Sequence, residues 1–337
     1  MTSQTADTRP PFVWIALPIV YVVWGSTYLG IHFVVQTMPP MISAGIRFLI
    51  AAVLLAAVLV IKSGPGVLRV PWRRLGTTAL VGILLLTGGN GMVGVAEQHM
   101  SSGLAALLVA SVPLWLVVFR WGTGDRPPVT TVAGVLVGFG GLALLTLTRG
   151  GGSGSPLGVG IILAAALSWS IGSFLSARLP MPANPFTASV YEMAAGGIAL
   201  LALGYGRGEN LQLSEVSRTS WIALAYLVVF GSLVAFTSYV WLLGNAPISL
   251  VGTYAYVNPA VAVLLGVAFA GEHATWMILL GGLVIILGVG LVVSTERRPR
   301  TAVTGRTGTP PPPRGRRRSL RGSRSTPEHP PRRTGVR

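Results

Sequence analysis

The sequence predicts an all-α membrane protein with ten transmembrane helices in two inverted five-helix repeats. Three observations lead to this prediction: few charged residues, apolar runs of transmembrane length, and landmark residues that recur after about 145 positions. Only 10% of the 337 residues are charged, whereas a typical soluble protein has about 25%. So few charges cannot cover a water-facing surface, and we expect a multi-pass protein of the cell (inner) membrane.

Breaks rich in polar residues, proline and glycine divide the first 294 residues into ten apolar segments. A helix needs about 20 apolar residues to cross a hydrocarbon core of roughly 30 Å. The predicted spans are 13–34, 41–62, 76–95, 101–121, 129–148, 157–177, 186–205, 219–243, 248–269 and 275–294. The first lacks a small-residue cleavage site and is followed at once by further spans, so we interpret it as a retained helix.

Positive charges in the connections predict that both termini are cytoplasmic. If the N-terminal segment 1–12 lies inside, the inside connections hold eight basic residues: Arg9, Lys62, Arg69, Arg73, Arg74, Arg120, Arg126 and Arg178. The outside loops hold three: Arg149, Arg207 and Arg218. Ten spans then return the C-terminal tail to the cytoplasm.

The formal charge of +16 comes mostly from the tail. Residues 296–337 contain 13 Arg and 2 Glu together with the run Pro310–Pro313, and apolar residues are scarce there. Such a segment cannot bury enough surface to offset its ordering entropy, so we predict disorder. Its place next to a cytoplasmic helix end favours anionic lipid headgroups as the partner, at about 1 kcal/mol per arginine, and not nucleic acid.

Landmark residues recur at a nearly constant spacing of 145 to 147 positions. The pairs are Trp24 and Trp169, Pro113 and Pro259, Asp125 and Glu272, and Gly134 and Gly281. The two repeats, 13–148 and 157–295, each contain five predicted spans, and an odd number inserts the second copy upside down. Inverted repeats are typical of secondary transporters, in which a central site opens to either side in turn.

Four ionisable residues are predicted in or near the membrane: Arg47, Glu97, Glu192 and Glu272, the last of them at the interface. Intramembrane charge is costly and is a functional candidate for that reason. Arg47 and Glu192 each lie roughly 9 Å deep, from opposite faces. About 12 Å then separates them across the core, which argues against a direct salt bridge. Two interpretations stay open: a role in gating or coupling, or a structural role in which each charge reaches the interface or caps a helix.

Polar and proline residues within spans also allow two interpretations each. Asn90 and Asn258 are expected either to hydrogen-bond between helices or to line a cavity. Pro113 and Pro259, at equivalent repeat positions, each remove one helical hydrogen bond. They predict either static kinks or a pair of hinges. Deep aromatic residues predict either simple packing or, together with nearby serines and threonines, an amphipathic pocket.

No set of catalytic residues emerges from the sequence. The chain has no cysteine, which excludes thiolate metal sites and disulfides, and it has no zinc, phosphate-loop or dinucleotide motif. We therefore predict neither an enzyme nor a bound metal or cofactor. A membrane-embedded sensor or a channel without active transport stays open as an alternative. The pair Gly134 and Gly138 favours packing within the protein over a dimer face, and a homodimer is left open.

Several stretches resemble the EamA family of the drug/metabolite transporter superfamily, in particular its YedA-like exporters. They include 24–29 (Trp-Gly-Ser-Thr-Tyr-Leu), Gly89-Asn90, 101–115 and 256–259 (Tyr-Val-Asn-Pro). The resemblance covers roughly residues 12–295 and excludes the tail.

The resemblance implies ten helices with cytoplasmic termini and the export of small metabolites, amino acids or amphipathic drugs. It also implies a central cavity lined by helices one, three, four, six, eight and nine. Carried onto this chain, the substrate-binding candidates are Trp24, Thr27, Asn90, Trp169, Tyr239, Tyr254 and Asn258.

Overall fold

The computed structural model describes residues 12–96, 98–99, 108–148, 155–255, 257–258, 260–261 and 276–296. Within these ranges the chain forms helices and turns and no β-strand. The helices with defined bounds are α1 (Val13–Val35), α2 (Pro40–Ser63), α3 (Trp72–Ala96), α4 (Val112–Gly122), α5 (Val129–Thr148), α6 (Pro156–Ser176), α7 (Pro185–Gly206), α8 (Arg218–Asn245), α9 (Ile248–Val251) and α10 (Trp276–Glu296). The connections include two short 3-10 turns, Pro65–Leu68 and Leu213–Glu215.

Six helices within the described ranges are long and apolar enough to cross a membrane, namely α1, α2, α3, α6, α7 and α8. They contain 21 to 28 residues, which matches the thickness of a bilayer core. The predicted fourth and ninth spans, 101–121 and 248–269, lie partly outside the described residues. The predicted disordered tail also lies outside them, apart from its first residue.

Helix starts follow from the capping residues in the sequence. At α6, the Ser155 hydroxyl accepts a hydrogen bond from the Gly158 N–H at 3.1 Å. At α7, Asn184 Oδ1 accepts one from the Phe186 N–H at 2.9 Å. Each cap satisfies one of the N–H groups that the first helical turn leaves without a partner. A proline follows each cap at the first helical position, where its missing N–H costs nothing.

The third helix begins at Trp72, four residues before the predicted start at residue 76. Its first turn carries Arg73 and Arg74, which are exposed. Hydropathy alone excluded this polar turn from the span. The helix nevertheless includes this turn and begins directly after Pro71, whose ψ of 139° is not helical.

Helices α2 and α7 pack against each other in antiparallel directions. A Cβ atom at Gly45 would lie 2.8 Å from the Leu201 side chain and 3.0 Å from the Gly197 oxygen, whereas Gly204 lies against the start of α2. The loop after α7 also caps α2, because the Glu209 carboxylate accepts a hydrogen bond from the Ile42 N–H at 2.9 Å. An acidic group at a helix N-terminus also interacts favourably with the helix dipole.

Two helices contain π-helical stretches, Ile83–Gly91 in α3 and Leu227–Phe236 in α8. The stretches begin 144 positions apart in the chain. A π-helical stretch widens the hydrogen-bond ring, and such stretches often occur at functional sites. Side chains of neighbouring helices bond to their carbonyl groups: Ser168 donates to the Leu84 oxygen at 2.8 Å, and Trp24 Nε1 donates to the Gly231 oxygen at 3.2 Å.

The helix pairs follow a regular scheme. α1 packs on α8, and α6 packs on α3. α2 packs on α7, and α5 packs on α10. Under the repeat, α1 to α5 correspond to α6 to α10. The pair α1–α8 then corresponds to the pair α6–α3, and each of the pairs α2–α7 and α5–α10 corresponds to itself.

The pair Gly134 and Gly138 packs inside the protein, as the sequence favoured. A Cβ atom at Gly288 of α10 would lie 2.5 Å from the Gly138 nitrogen and 2.8 Å from the Gly134 oxygen. The two helix backbones therefore meet directly at this point. Small residues at helix interfaces allow this approach in membranes, where dispersion contacts replace the hydrophobic effect as the main attraction between helices.

Candidate functional site

Four aromatic rings meet in the interior of the described helices. Trp24 of α1 lies 5.5 Å from Trp169 of α6, 4.9 Å from Tyr239 of α8 and 5.0 Å from Tyr254, measured between ring centroids. These separations fall in the range at which aromatic pairs attract. We call these four residues the aromatic cluster. Its members come from both halves of the chain, and Trp24 and Trp169 are repeat-related.

Hydrogen bonds fix the rings of the aromatic cluster in place. Trp169 Nε1 donates to the Tyr239 hydroxyl at 3.0 Å, and that hydroxyl also lies 2.5 Å from the Ser173 hydroxyl. On the other side, Trp24 Nε1 donates to the Gly231 carbonyl of the π-helical stretch. Buried indole and phenol groups need such partners, and here the partners also orient the rings.

A cavity opens beside the aromatic cluster, and we call it the central cavity. Its walls come from α1, α2, α3 and α6 and from residues in or near α4 and α9. The lining residues are Trp24, Thr27, Ile31, Arg47, Gly89, Asn90, Val93, Val109, Val112, Ala165, Ala166, Trp169, Tyr254 and Asn258. The walls are mostly apolar with a few convergent polar groups, which is the usual character of a small-molecule site.

Two glycines of α3 allow α6 to approach the central cavity. A Cβ atom at Gly88 would lie 2.2 Å from the Ser168 hydroxyl, and one at Gly89 would lie 2.6 Å from the Trp169 ring. The Trp169 indole therefore rests on bare backbone. This close contact explains why positions 88 and 89 of this membrane-length helix are glycines.

Asn258 both bonds to another helix and lines the central cavity. With its amide nitrogen facing them, it donates to the Tyr21 and Tyr254 backbone oxygens, each at 3.1 Å. The residue is 2% exposed, and a Cβ atom at Gly25 of α1 would meet its carbonyl oxygen at 3.0 Å. The two interpretations left open for this asparagine are therefore compatible with each other.

Arg47 and Glu192 are both buried in the protein and do not bond to each other. Arg47 is 3% exposed, and its Nε donates to the Ser232 hydroxyl at 2.9 Å. Glu192 is fully buried, and neither of its carboxyl oxygens has a hydrogen-bond partner in the described part of the chain. This separation agrees with the depth argument from the sequence. Arg47 lines the central cavity, whereas Glu192 lies behind it, with its backbone against Gly82.

A family model described as the EamA-like transporter family matches the chain twice, over residues 12–147 and 156–294. The chain belongs to this family, which is part of the drug/metabolite transporter superfamily. It is 39% identical over 278 residues to the uncharacterized inner membrane transporter YedA of Escherichia coli (strain K12). That alignment covers 82% of this chain and 89% of the relative.

Two further relatives of this EamA-family member are informative. It is 27% identical to the "probable terminal-alkyne amino-acid exporter" of Streptantibioticus cattleyicolor, over 83% of this chain and 92% of that protein. A solved crystal structure matches with a TM-score of 0.71 at 23% identity, over 85% of this chain and 98% of the other. That structure shares the fold. The family and the names of the relatives indicate a multi-pass membrane transporter and not an enzyme.

The structure brings most of the predicted binding residues of this EamA-family member together. Six of the seven candidates line the central cavity: Trp24, Thr27, Asn90, Trp169, Tyr254 and Asn258. The seventh, Tyr239, lies behind the wall and supports Trp24 and Trp169. Substrate binding by these residues stays a prediction.

The structure corrects the prediction that Pro113 interrupts the middle of a helix. Pro113 was expected in mid-helix, but a turn at residues 110–111 precedes it, and it lies in the first turn of α4. At that position its missing N–H breaks no helical hydrogen bond. Pro259, Glu97 and Glu272 lie outside the described residues. In the part of the chain that the structure describes, no group of three His, Asp or Glu side chains could hold a metal ion.

The sequence reasoning missed several apolar lining residues. Ile31 follows Trp24 and Thr27 at helical spacing, so the face of α1 that carries the two predicted residues could have identified it. Ala165 and Ala166 precede the repeated motif around Trp169 by one turn of α6, and the same rule identifies them. No signal of this kind marked Val109 and Val112, because their place in the wall depends on how α4 packs.

The hydroxyl of Tyr239 is expected to orient the Trp169 wall of the central cavity. Tyr239→Phe removes the acceptor for Trp169 Nε1 and leaves a buried donor without a partner, at a cost of about 1–3 kcal/mol. We expect a lower unfolding temperature and weaker substrate affinity, with correct membrane insertion. Thermal unfolding of purified protein would measure the first effect, and Tyr205→Phe, at an exposed position, is the matched control. An unfolding temperature equal to that of the control would show that the Tyr239 hydroxyl does not hold Trp169 in place.

Proposed function

We propose that this protein is a secondary transporter that exports small metabolites, amino acids or amphipathic drugs across the inner membrane by alternating access. The observation that carries the proposal is the central cavity, which is lined by three of the four members of the aromatic cluster and by two asparagines and lies between helices of both halves. The family and the relatives named as transporters support it. The direction of transport follows the relative named as an exporter.

We further propose ten transmembrane helices in two inverted repeats with both termini in the cytoplasm. Support comes from the π-helical stretches that begin 144 positions apart and from the exchange of the α1–α8 and α3–α6 pairs between halves. The double match of the family model adds to this. The distribution of Lys and Arg supports the orientation. In such a fold, rocking of one repeat against the other would expose the cavity to each side in turn.

Flux through purified protein tests the proposal. The protein would be reconstituted in proteoliposomes, and uptake and efflux of labelled amino acids and amphipathic drugs would be followed. Trp24→Ala and Asn258→Ala change the cavity wall, and Trp221→Ala changes an exposed indole as the control. Saturable flux that both wall variants lose and the control keeps is the expected result. Folded wild-type protein without saturable flux for any compound would instead favour the sensor, and flux that does not saturate would favour a channel.

The driving force of transport is a separate part of the proposal. No acidic side chain lines the described central cavity, which favours exchange or flux down the substrate gradient. Proton coupling would need a carboxyl group elsewhere, and Glu192 is the buried one that the structure describes. Flux would therefore be measured with and without a pH gradient in wild type and Glu192→Gln. Equal flux under both conditions supports exchange, whereas gradient-driven flux that Glu192→Gln abolishes assigns coupling to this residue.

The arginine-rich tail is proposed to bind anionic lipid headgroups and to have no part in the transport step. Deletion of residues 300–337 is expected to leave the flux per inserted molecule unchanged and to lower the inserted fraction. Comparison of binding to vesicles with and without anionic lipid would show whether anionic headgroups are the partner. Membrane fractionation would measure the inserted fraction. Complete loss of flux in correctly inserted truncated protein would contradict this separation of roles. Size measurements of the same protein would show whether it forms a homodimer.

A further inference from the structure

We infer that the transported compound carries a carboxylate on an apolar body, and that Arg47 binds this carboxylate in the central cavity. This inference rests on the proposed transport function and specifies its substrate class. It starts from one feature of the described structure: a buried guanidinium group that lines a cavity and has no acidic partner.

The position of Arg47 is fixed by α8. Its Nε donates to the Ser232 hydroxyl, and its Nη2 lies 2.7 Å from the place where a Cβ atom of Gly231 would be. The guanidinium therefore lies along bare backbone of the π-helical stretch. Because any side chain at residue 231 would displace it, we interpret this glycine as part of the same site.

The charge of Arg47 is not neutralised by the described protein. A guanidinium has five N–H donors, and one of them, on Nε, is bonded. An ion pair in the described ranges joins Arg120 to Asp125, at 3.0 Å, and does not involve Arg47. Glu192, on the helix that packs against α2, has no bond to Arg47. A buried cation without a counter-charge is costly, and an anionic ligand would remove that cost.

The walls of the central cavity specify the rest of the ligand. Trp24, Trp169 and Tyr254 offer aromatic faces for an apolar body, and Asn90 and Asn258 offer neutral polar groups. No carboxylate in the described lining could hold a cation. A guanidinium matches a carboxylate with two parallel hydrogen bonds. The site therefore suits organic acids, including amino acids, and does not suit cationic amphiphiles.

Arg47 also lines a second cavity. This cavity is lined by residues at the end of α1 and the start of α2 and by residues of α3 and α8, and Ile31, Arg47 and Asn90 line both cavities. A compound that passes between the central cavity and the α1–α2 connection would pass the guanidinium. Capture and release of the carboxylate would therefore occur at the junction of the two cavities.

Matched ligands test the inference on the unmodified protein. Binding of 3-phenylpropionate, phenylalanine, phenylalaninamide and phenethylamine to purified protein in nanodiscs would be measured by calorimetry. The two carboxylates are expected to bind, and loss of the carboxylate should weaken binding roughly ten- to hundredfold. Comparison of 3-phenylpropionate with phenylalanine shows whether the site prefers a simple organic acid or an amino acid. Binding of the amide or the amine as tightly as the acids would overturn the inference, as would no binding of either acid.

Variants at the site test the assignment to Arg47. Arg47→Gln should weaken binding of the acids by roughly ten- to hundredfold and abolish the preference for acid over amide. Arg47→Lys should keep the preference in weakened form, because a lysine cannot form the paired bonds. Gly231→Ala keeps the charge but moves it, and should also weaken binding of the acids. Arg120→Gln, which removes a buried guanidinium outside the cavity, is the matched control and should bind as wild type does.

The outcomes separate this inference from the transport proposal. An acid preference that persists in folded Arg47→Gln would overturn the role of Arg47. If Arg47→Gln does not fold, Gly231→Ala and the ligand series on wild type still decide the question. Saturable flux of neutral or cationic compounds alone would leave the transporter proposal standing and overturn the carboxylate site. Binding of acids without flux would support the carboxylate site and overturn the transporter proposal.

Discussion

Replacement of Gly82 by alanine is expected to destabilise the protein severely. A Cβ atom at this position would lie 2.4 Å from the Glu192 carbonyl oxygen and 2.5 Å from its Cα atom. Both are backbone atoms of α7, so no side-chain rotation can relieve the clash, and the two helices would have to separate. Overpacking of a well-packed interior costs about 1–3 kcal/mol, and we expect the upper end of that range. A lower unfolding temperature and less monodisperse protein would measure the effect.

The same helix provides the control for this experiment. A Cβ atom at Gly76 would have no neighbouring atom within 4 Å, so Gly76→Ala should be neutral or stabilising, because alanine favours a helix by about 1 kcal/mol over glycine. Both variants add the same methyl group, and they differ only in whether that group meets the backbone of α7. An unfolding temperature of Gly82→Ala equal to that of Gly76→Ala would contradict the close contact between α3 and α7.

Removal of the Trp24 indole is expected to abolish saturable transport. Trp24 contacts the three other rings of the aromatic cluster and forms part of the cavity wall. Trp24→Ala also leaves a void, and such truncations cost about 3–5 kcal/mol in buried sites. Trp24→Phe keeps a ring but loses the hydrogen bond to the Gly231 carbonyl, so we expect it to keep flux at reduced substrate affinity. Proteoliposome flux per folded molecule would measure both.

An exposed tryptophan serves as the control for Trp24. Trp221, on the same membrane-spanning scaffold, is 42% exposed and lies outside the cavity wall. Trp221→Ala should therefore keep both fold and flux. Saturable flux of Trp24→Ala at the wild-type level would show that the substrate does not pass along the aromatic cluster.

Much of the fold follows from local properties of the sequence. Apolar length gave the positions of the described membrane-length helices, and capping residues such as Ser155 and Asn184 explain where two of them start. The π-helical stretches were not predicted, because their hydrogen-bond register depends on contacts with other helices. The bond from Trp24 to the Gly231 carbonyl is such a contact. The early start of α3 was missed because its first turn is polar.

The site was partly predictable for a similar reason. Residues that combine an aromatic or amide group with a mid-span position, such as Trp169 and Asn258, have few stable places other than a polar interior. Whether a residue lines the cavity or lies behind it depends on packing, and the sequence could not separate Tyr239 from Tyr254. The charge of Arg47 was identified, but its partner Ser232 belongs to a helix far away in the chain, and only the structure shows that bond.

Access to the central cavity from the two sides of the membrane tests alternating access most directly. The natural chain has no cysteine, so Asn90→Cys introduces a single thiol at a residue that lines both cavities. Labelling by a membrane-impermeant maleimide would be measured in vesicles of both orientations, with Val53→Cys, at a 67% exposed position, as the lipid-facing control. We predict labelling of Asn90→Cys from both sides and protection by transported substrate. Labelling from one side alone under every condition, in protein that still transports, would contradict alternating access through this cavity.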